Sequence, residues 1–251
     1  MNFQEYQKAK ENITAHQKNS DFLIYNSDDK SVSQIAQKTK AQKLPFNRNL
    51  ILELKKIIKP SENPLVGEFN LMNILAGVLV VRVLGVADSQ IKKGVKLFKP
   101  LPHRLEFVGK FKGIEFYDNS MATIPETTIL DLATFNGKPI SLIVGGSEKG
   151  SDYTNLAKKI LETQVKNLII LGQGTGQKIL ERVKLIPQQR NEFNSFQVKS
   201  MEAAVRVCYE KTPKNGVCLL SPAAASFNLF KDYKERGELF KKNVKKFATT
   251  K

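Results

Sequence analysis

The chain has 251 residues, of which 41% are hydrophobic and 25% charged, the proportions of an ordinary globular protein with room for two domains. Its net charge is +16, but the lysines are scattered and lie beside no aromatic array, so the charge does not argue for nucleic acid as a partner. No apolar run is long enough to span a bilayer, no apolar signal core opens the sequence, and the two cysteines lack metal-ligand spacing; a cytoplasmic protein with buried free thiols and no membrane partner is expected.

Phe3, Tyr6, Ala9 and Ile13 recur at helical spacing and predict a first helix over residues 1 to about 20. "DFLIYN" reads as a short strand stopped by the turn-forming "NSDD", and "SVSQIAQKTKA" returns to helix. "LILELKKIIK" has mixed periodicity, and its type stays open. Pro60 and Pro64 bound a loop, a helix follows from Leu71 to about Val86, and "SQIKKGVKLF" reads as another. Pro100 and Pro102 mark a boundary, because proline interrupts both helix and ladder.

Beyond that boundary the pattern changes. A hairpin, "RLEFVGKF" and "GIEFYDN", is followed by a helix that Pro125 can start. Strands "PISLIVGG", "NLIILG", "SFQVK" and "GVCLLSP" then alternate with helices "YTNLAKKILET", "GQKILERV" and "MEAAVRVCYEK", with a final helix from about Phe227. Apolar runs separated by amphipathic helices predict an α/β, Rossmann-like, mostly parallel sheet covered on both faces. In such a sheet ligands bind beyond the carboxyl ends of the strands. The polar groups gather there: "YDNSMAT", "GGSEKGSD", "GQGTGQ" and "SPAAASF" each follow a strand.

Gly172, Gly174 and Gly176 do not complete a G-x-G-x-x-G fingerprint, and Lys149 lies in a glycine-rich loop without the G-x-x-x-x-G-K-[ST] spacing. Lys149 reads equally well as an anion ligand or a solvated loop lysine. Ser226 is expected to cap a helix that Phe227 begins, serving either as a simple cap or as an anion site at a helix N-terminus. His103 and Arg104 are expected to open the hairpin on opposite faces, with Arg104 toward the cleft because its fork of donors suits paired oxygens.

"LPHRLEFV", "YDNSMAT", "IVGGSEKGSDY" and "LLSPAAASFNLFKDYKERGELF", in this order and at these intervals, resemble the C-terminal domain of the Mur ligases, and in particular their D-glutamate-adding branch. "AKENITAHQ", "LIYNSDD" and "GEFNLMNILAG" resemble the later part of that family's central ATPase domain. The resemblance implies a partial ATPase domain over residues 1–98 and a D-glutamate-binding domain over 99–251. It further implies an ATP- and Mg²⁺-dependent ligase that adds D-glutamate to UDP-MurNAc-L-alanine through an acyl phosphate, in peptidoglycan precursor synthesis. Carried over residue by residue, Arg104 holds the ATP ribose with Asp118 and Asn119 near the same sugar, and Asn26 and Asn70 or Asn73 lie near the adenine. Thr123 and Lys149 meet D-glutamate, and Ser226, Phe227 and Tyr233 complete its pocket.

The departures are specific. The family often has Asp where Asn119 stands and Lys where Met121 stands, and the His common before Asn70 is Phe69 here. The family's UDP-holding domain, phosphate loop and magnesium ligands precede the region matching Met1. The expectation is therefore the second half of a split or truncated ligase, inactive alone, for which a separate chain carrying the N-terminal half is an implied partner. The alternative is a non-catalytic module that binds an amino acid or a partner.

Overall fold

The computed structural model describes residues 3–148, 150–187, 192–227 and 229–249. The chain divides into two compact units, Met1–Lys99 and Pro100–Lys251.

In the first unit, α1 (Phe3–Ala15) precedes β1 (Phe22–Asn26), α2 (Lys30–Ala36) and β2 (Gln42–Phe46); α3 (Ile51–Ile57), α4 (Glu68–Val83) and α5 (Asp88–Leu97) follow. β1 and β2 pair in parallel. β2 lies beyond the expected helix, which ends at Ala36 instead of running on to Ala41; its sequence, QKLPF, carries little apolar alternation. The stretch whose type the sequence left open is the helix α3. Asp29 caps α2, its Oδ1 accepting the N–H groups of Ser31 and Val32 at 2.8 and 3.1 Å. Phe46, Leu54, Leu75, Val78 and Ile91 form the unit's main core.

The second unit contains β3 (Glu106–Phe111), β4 (Ile114–Asp118), α6 (Pro125–Thr134), β5 (Ile140–Val144), α7 (Thr154–Glu162) and β6 (Val165–Leu171). It continues with α8 (Thr175–Lys184), β7 (Asn194–Val198), α9 (Met201–Lys211), β8 (Val217–Leu220) and α10 (Tyr233–Thr249). The six strands are ordered β3-β4-β8-β5-β6-β7, antiparallel at the β3–β4 hairpin and parallel elsewhere. β5 and β8 are buried along their whole length, as strands covered on both faces must be. Phe116, Ile143, Ile169 and Leu220 pack with Val205 of α9 and Phe240 of α10 in one core. Tyr117, pointing to the other face, packs at a tilt against Phe135 at the end of α6, with ring centroids 4.5 Å apart. Cys208 and Cys218 are buried free thiols.

The chain leaves β4, skips one position to β5, runs outward to β7 and returns to place β8 in the gap. That reversal brings the loops after β4, β8 and β5 side by side at one rim, the position where open α/β sheets hold ligands.

Candidate functional site

Backbone hydrogen bonds join the rim loops in sequence. Met121 donates to His103 O (3.2 Å), Asn119 to Leu220 O (2.8 Å), Gly145 to Pro222 O (3.0 Å), Ser147 to Ala225 O (2.8 Å) and Thr175 to Gly146 O (3.3 Å). The close packing requires glycine: Gly146 has φ +149°, and a Cβ there would meet Ala225 O at 2.1 Å.

One side chain clasps three of these loops. Arg236, in the first turn of α10, is fully excluded from solvent. Its Nε donates to Ser120 Oγ at 2.9 Å, and its Nη2 to Ser120 O at 2.7 Å and Ala224 O at 3.0 Å. Its Nη1 reaches Gly145 O at 3.5 Å. Burial pushes its pKa down to about 10, opposed by Asp118, so it remains a cation at neutral pH. The sequence reading did not single it out. Its signal was a cation in the first turn of a helix, the end where the dipole disfavours positive charge.

His103 and Asp118 form a buried pair beside this clasp, with Nδ1 and Oδ2 2.7 Å apart. Asp118 Oδ1 accepts the Ser120 N–H at 2.9 Å. The hydrogen bond to Asp118 raises the His103 pKa against the opposing effect of burial. Gly237 makes room for the pair: a Cβ there would lie 2.2 Å from His103 Nδ1. Contrary to expectation, His103 and Arg104 do not lie on the strand. His103 (φ +62°) and Leu105 (φ +48°) adopt left-handed conformations, and the turn leaves His103 buried and Arg104 exposed ahead of β3.

Beneath the loop after β4 lies a second polar cluster. Asp131 Oδ2 accepts from Asn119 Nδ2 at 2.6 Å and Ser221 Oγ at 2.7 Å, and Ser221 Oγ also lies 2.9 Å from Thr128 Oγ1. Asp131 Oδ1 is buried without a hydrogen-bond partner among the described residues. Burial pushes the Asp131 carboxyl up to about 6, with Ser221 and Asn119 pulling the other way.

At the rim surface, Arg104, Met121 and Phe227 are exposed, and Thr123 and Tyr233 are half-buried. Ser226 is buried, and the expected helix does not start there. Its carbonyl accepts the N–H groups of Leu229 and Phe230, a turn that does not continue. α10 begins at Tyr233, where Asp232 Oδ1 accepts the Glu235 N–H at 2.9 Å and Glu235 Oε2 accepts the Lys231 N–H at 2.6 Å. The anion site at a Ser226 helix N-terminus is therefore corrected to a turn. Lys149 lies outside the described residues.

Asn26, Asn70 and Asn73 belong to the first unit. Asn26 Oδ1 accepts the Asp28 N–H at 3.0 Å, closing the turn after β1. Asn70 is buried, donating to Val66 O at 2.7 Å and accepting from Asn73 Nδ2 at 3.2 Å. Asn73 is exposed and lines an otherwise largely apolar cavity of about 410 Å³ with Ile74, Val78 and Ile91.

The UDP-N-acetylmuramoylalanine–D-glutamate ligase of Caldanaerobacter subterraneus is 35% identical over 96% of this chain and 56% of its own length. That of Koribacter versatilis is also 35% identical, over 98% of this chain and 56% of its own length. The chain is homologous to the Mur ligases. It spans about half the length of the curated relatives it matches. The MurF ligase of Thermotoga maritima, solved in complex with ADP, shares the fold with a TM-score of 0.63, at 16% identity over 97% of this chain and 58% of that one. No protein-family model matches the chain.

Against the Mur ligase frame, the residues expected at one site divide by depth. Arg104, Thr123, Phe227 and Tyr233 have surface to offer a ligand, whereas Asp118, Asn119 and Ser226 support the rim from below. Among the described residues one group could be tried against a metal ion: ligand atoms of His103, Glu106 and Asp118 lie within 4.8 Å of one another. This set does not fit Mg²⁺, which takes oxygen ligands in an octahedron and keeps water. His103 Nδ1 is already bonded to Asp118, and the Lys241 ammonium sits 3.2 Å from Glu106. No helix among the described residues is long and apolar enough to cross a membrane.

Proposed function

We propose that this chain is the amino-acid-binding portion, with part of the nucleotide-binding portion, of an ATP-dependent ligase that joins D-glutamate to UDP-MurNAc-L-alanine in cytoplasmic peptidoglycan precursor synthesis. The observation that carries the reading is the convergence of the loops after β4, β8 and β5 at one rim, each holding a segment that resembles the D-glutamate-adding ligases.

In this reading Pro100–Lys251 is the D-glutamate-binding domain and Met1–Lys99 the later part of the ATPase domain. Arg104 takes the ATP ribose, with Asp118 and Asn119 fixing its loop. Asn26 and Asn73 lie near the adenine, with Asn70 orienting Asn73. Thr123 and Lys149 bind D-glutamate, and Ser226, Phe227 and Tyr233 complete its pocket. A dicarboxylate suits a rim that combines cations with hydroxyls. The chain's own work is to hold the amine donor in line beside the nucleotide, which is the main protein contribution to such a reaction.

The chain contains no G-x-x-x-x-G-K-[ST] loop to cradle a γ-phosphate. Purified alone with ATP, UDP-MurNAc-L-alanine and D-glutamate, it releases no phosphate; robust turnover overturns the reading of an incomplete ligase. Calorimetry tests the site. Lys149→Ala lowers D-glutamate affinity roughly ten- to a hundredfold, the loss of one charge-assisted hydrogen bond. Arg104→Ala weakens nucleotide binding and leaves D-glutamate binding unchanged. Absence of any D-glutamate heat from the wild-type chain favours the partner-binding module instead.

A further inference from the structure

Asp131 is an acidic residue on the inward side of a helix. It shares that side of α6 with Pro125, Thr128 and Leu132, and it has no exposed surface. A fully buried carboxyl is rare and costly, and both hydrogen-bond partners of Asp131, Asn119 and Ser221, are neutral. A leucine would fill the same space without that cost. The two partners occupy equivalent places on neighbouring strands. Asp118 and Leu220 pair at the ends of β4 and β8, so Asn119 and Ser221 are the first residues beyond the ladder. Asn119 opens the loop that carries Met121 and Thr123, and its carbonyl accepts the Ala122 N–H at 2.8 Å. Ser221 opens the loop that carries Ser226 and Phe227, and it donates its N–H to Ile143 O at 3.2 Å.

One carboxyl oxygen, Asp131 Oδ2, takes a hydrogen from each root, at 2.6 Å from Asn119 Nδ2 and 2.7 Å from Ser221 Oγ. Asp131 thus ties the two loops where they leave the sheet, from the α6 face, as Arg236 ties them further along from the α10 face. The pairing bears on the departure at position 119. Where the family often has Asp, this chain has Asn119, and a carboxyl stands across the hydrogen bond from it. Aspartates at both positions would set two carboxyls 2.6 Å apart, and like charges that close do not both ionise. Exchanging the two side chains keeps the donor–acceptor match. An amide at position 131 has one hydrogen for a carboxyl at 119 and one for Ser221 Oγ, whose own hydrogen can turn to Thr128 Oγ1, 2.9 Å away.

We propose that Asp131 is a positioning residue for the rim: through Asn119 and Ser221 it holds the loops after β4 and β8 in the arrangement that binds D-glutamate. Its carboxyl and the Asn119 amide act as one unit, so the two can be exchanged but not changed singly. The proposal rests on the reading of this rim as a D-glutamate site.

Calorimetry with D-glutamate and amide hydrogen exchange by NMR, both on the full chain at neutral pH, test it. Asp131→Leu, similar in size but without an acceptor, lowers D-glutamate affinity at least about tenfold. It also speeds exchange of the Ala122 and Gly145 amides, bonded to Asn119 O and Pro222 O, at least about tenfold, while Leu142 and Leu219 in the central strands keep their rates. Asn119→Asp has the same two effects. Adding Asp131→Asn to it brings both readouts back to within about threefold of the wild type, and Asp131→Asn alone completes the cycle. An Asp131→Leu chain that matches the wild type in both readouts overturns the proposal. So does a double variant no better than Asn119→Asp. If Asp131→Leu does not fold, the exchanged pair carries the test by itself. Absence of D-glutamate heat from the wild type overturns the reading of the site, and the exchange rates still decide whether Asp131 sets the loops, so the two fail separately.

Discussion

The two units are both α/β, yet they treat their apolar residues differently. In the second unit Leu142, Ile143, Val144, Leu168 and Ile169 lie at 0% exposure, between α6, α7 and α8 on one face and α9 and α10 on the other. In the first, the buried set is smaller, and Tyr6, Ile13, Leu52, Val80 and Leu84 stand exposed. A six-stranded sheet has enough width to cover its central strands from both sides, and a pair of strands has none to spare. The difference therefore lies in sheet width more than in composition.

The largest test of this contrast is a pair of core truncations. Phe116→Ala, at a fully buried site, costs about 3–5 kcal/mol, whereas Leu54→Ala, also buried, costs about 2–3 kcal/mol because a leucine leaves a smaller cavity. Urea unfolding monitored separately for each unit measures both, and equal costs break the contrast. Arg236→Ala leaves the carbonyls of Ser120 and Ala224 without their donor and costs roughly 3 kcal/mol, seen in the transition of the second unit alone.

The pH dependence comes next. Asp131 has its carboxyl raised from 3.8 to about 6, so the folded chain keeps a proton that the unfolded chain has released. Stability in the second unit falls as pH rises from about 4 to 6, by about 3 kcal/mol, and Asp131→Asn removes that slope. His103 is also raised, from 6.5; its contribution is complete below that value and is lost as pH climbs through the folded one, so this later fall persists in the Asn variant. The smallest effect is that of Arg104→Ala, within about 0.5 kcal/mol, because the side chain stands in solvent. Limited proteolysis then ranks the units directly, with the first cuts expected before Pro100. Equal resistance along the chain counts against the ranking.

Much of the second unit was legible in the sequence because its buried strands are unbroken apolar runs and its helices have one apolar face. β2 was not, since QKLPF offers neither alternation nor a β-branched run, and its pairing depends on β1. The start of α10 was misread because Ser226 has the chemistry of a cap, while the working cap, Asp232 with Glu235, lies six residues further on. His103 and Arg104 looked like strand residues, and the left-handed turn that separates them is set by contacts to Asp118 and Glu106 rather than by local propensity. The Asp131 cluster was invisible for a related reason: Asn119, Thr128, Asp131 and Ser221 come together only when β8 enters the gap between β4 and β5.

Arg236 divides the rim into positions that are free to vary and positions that are not. Gly145 and Ala224 are grasped through backbone oxygens and Ser120 through both its backbone oxygen and its Oγ, so the hold is intolerant of any shift in main-chain path. Met121, Ile124 and Phe227 are exposed, so their side chains can change without remaking that frame.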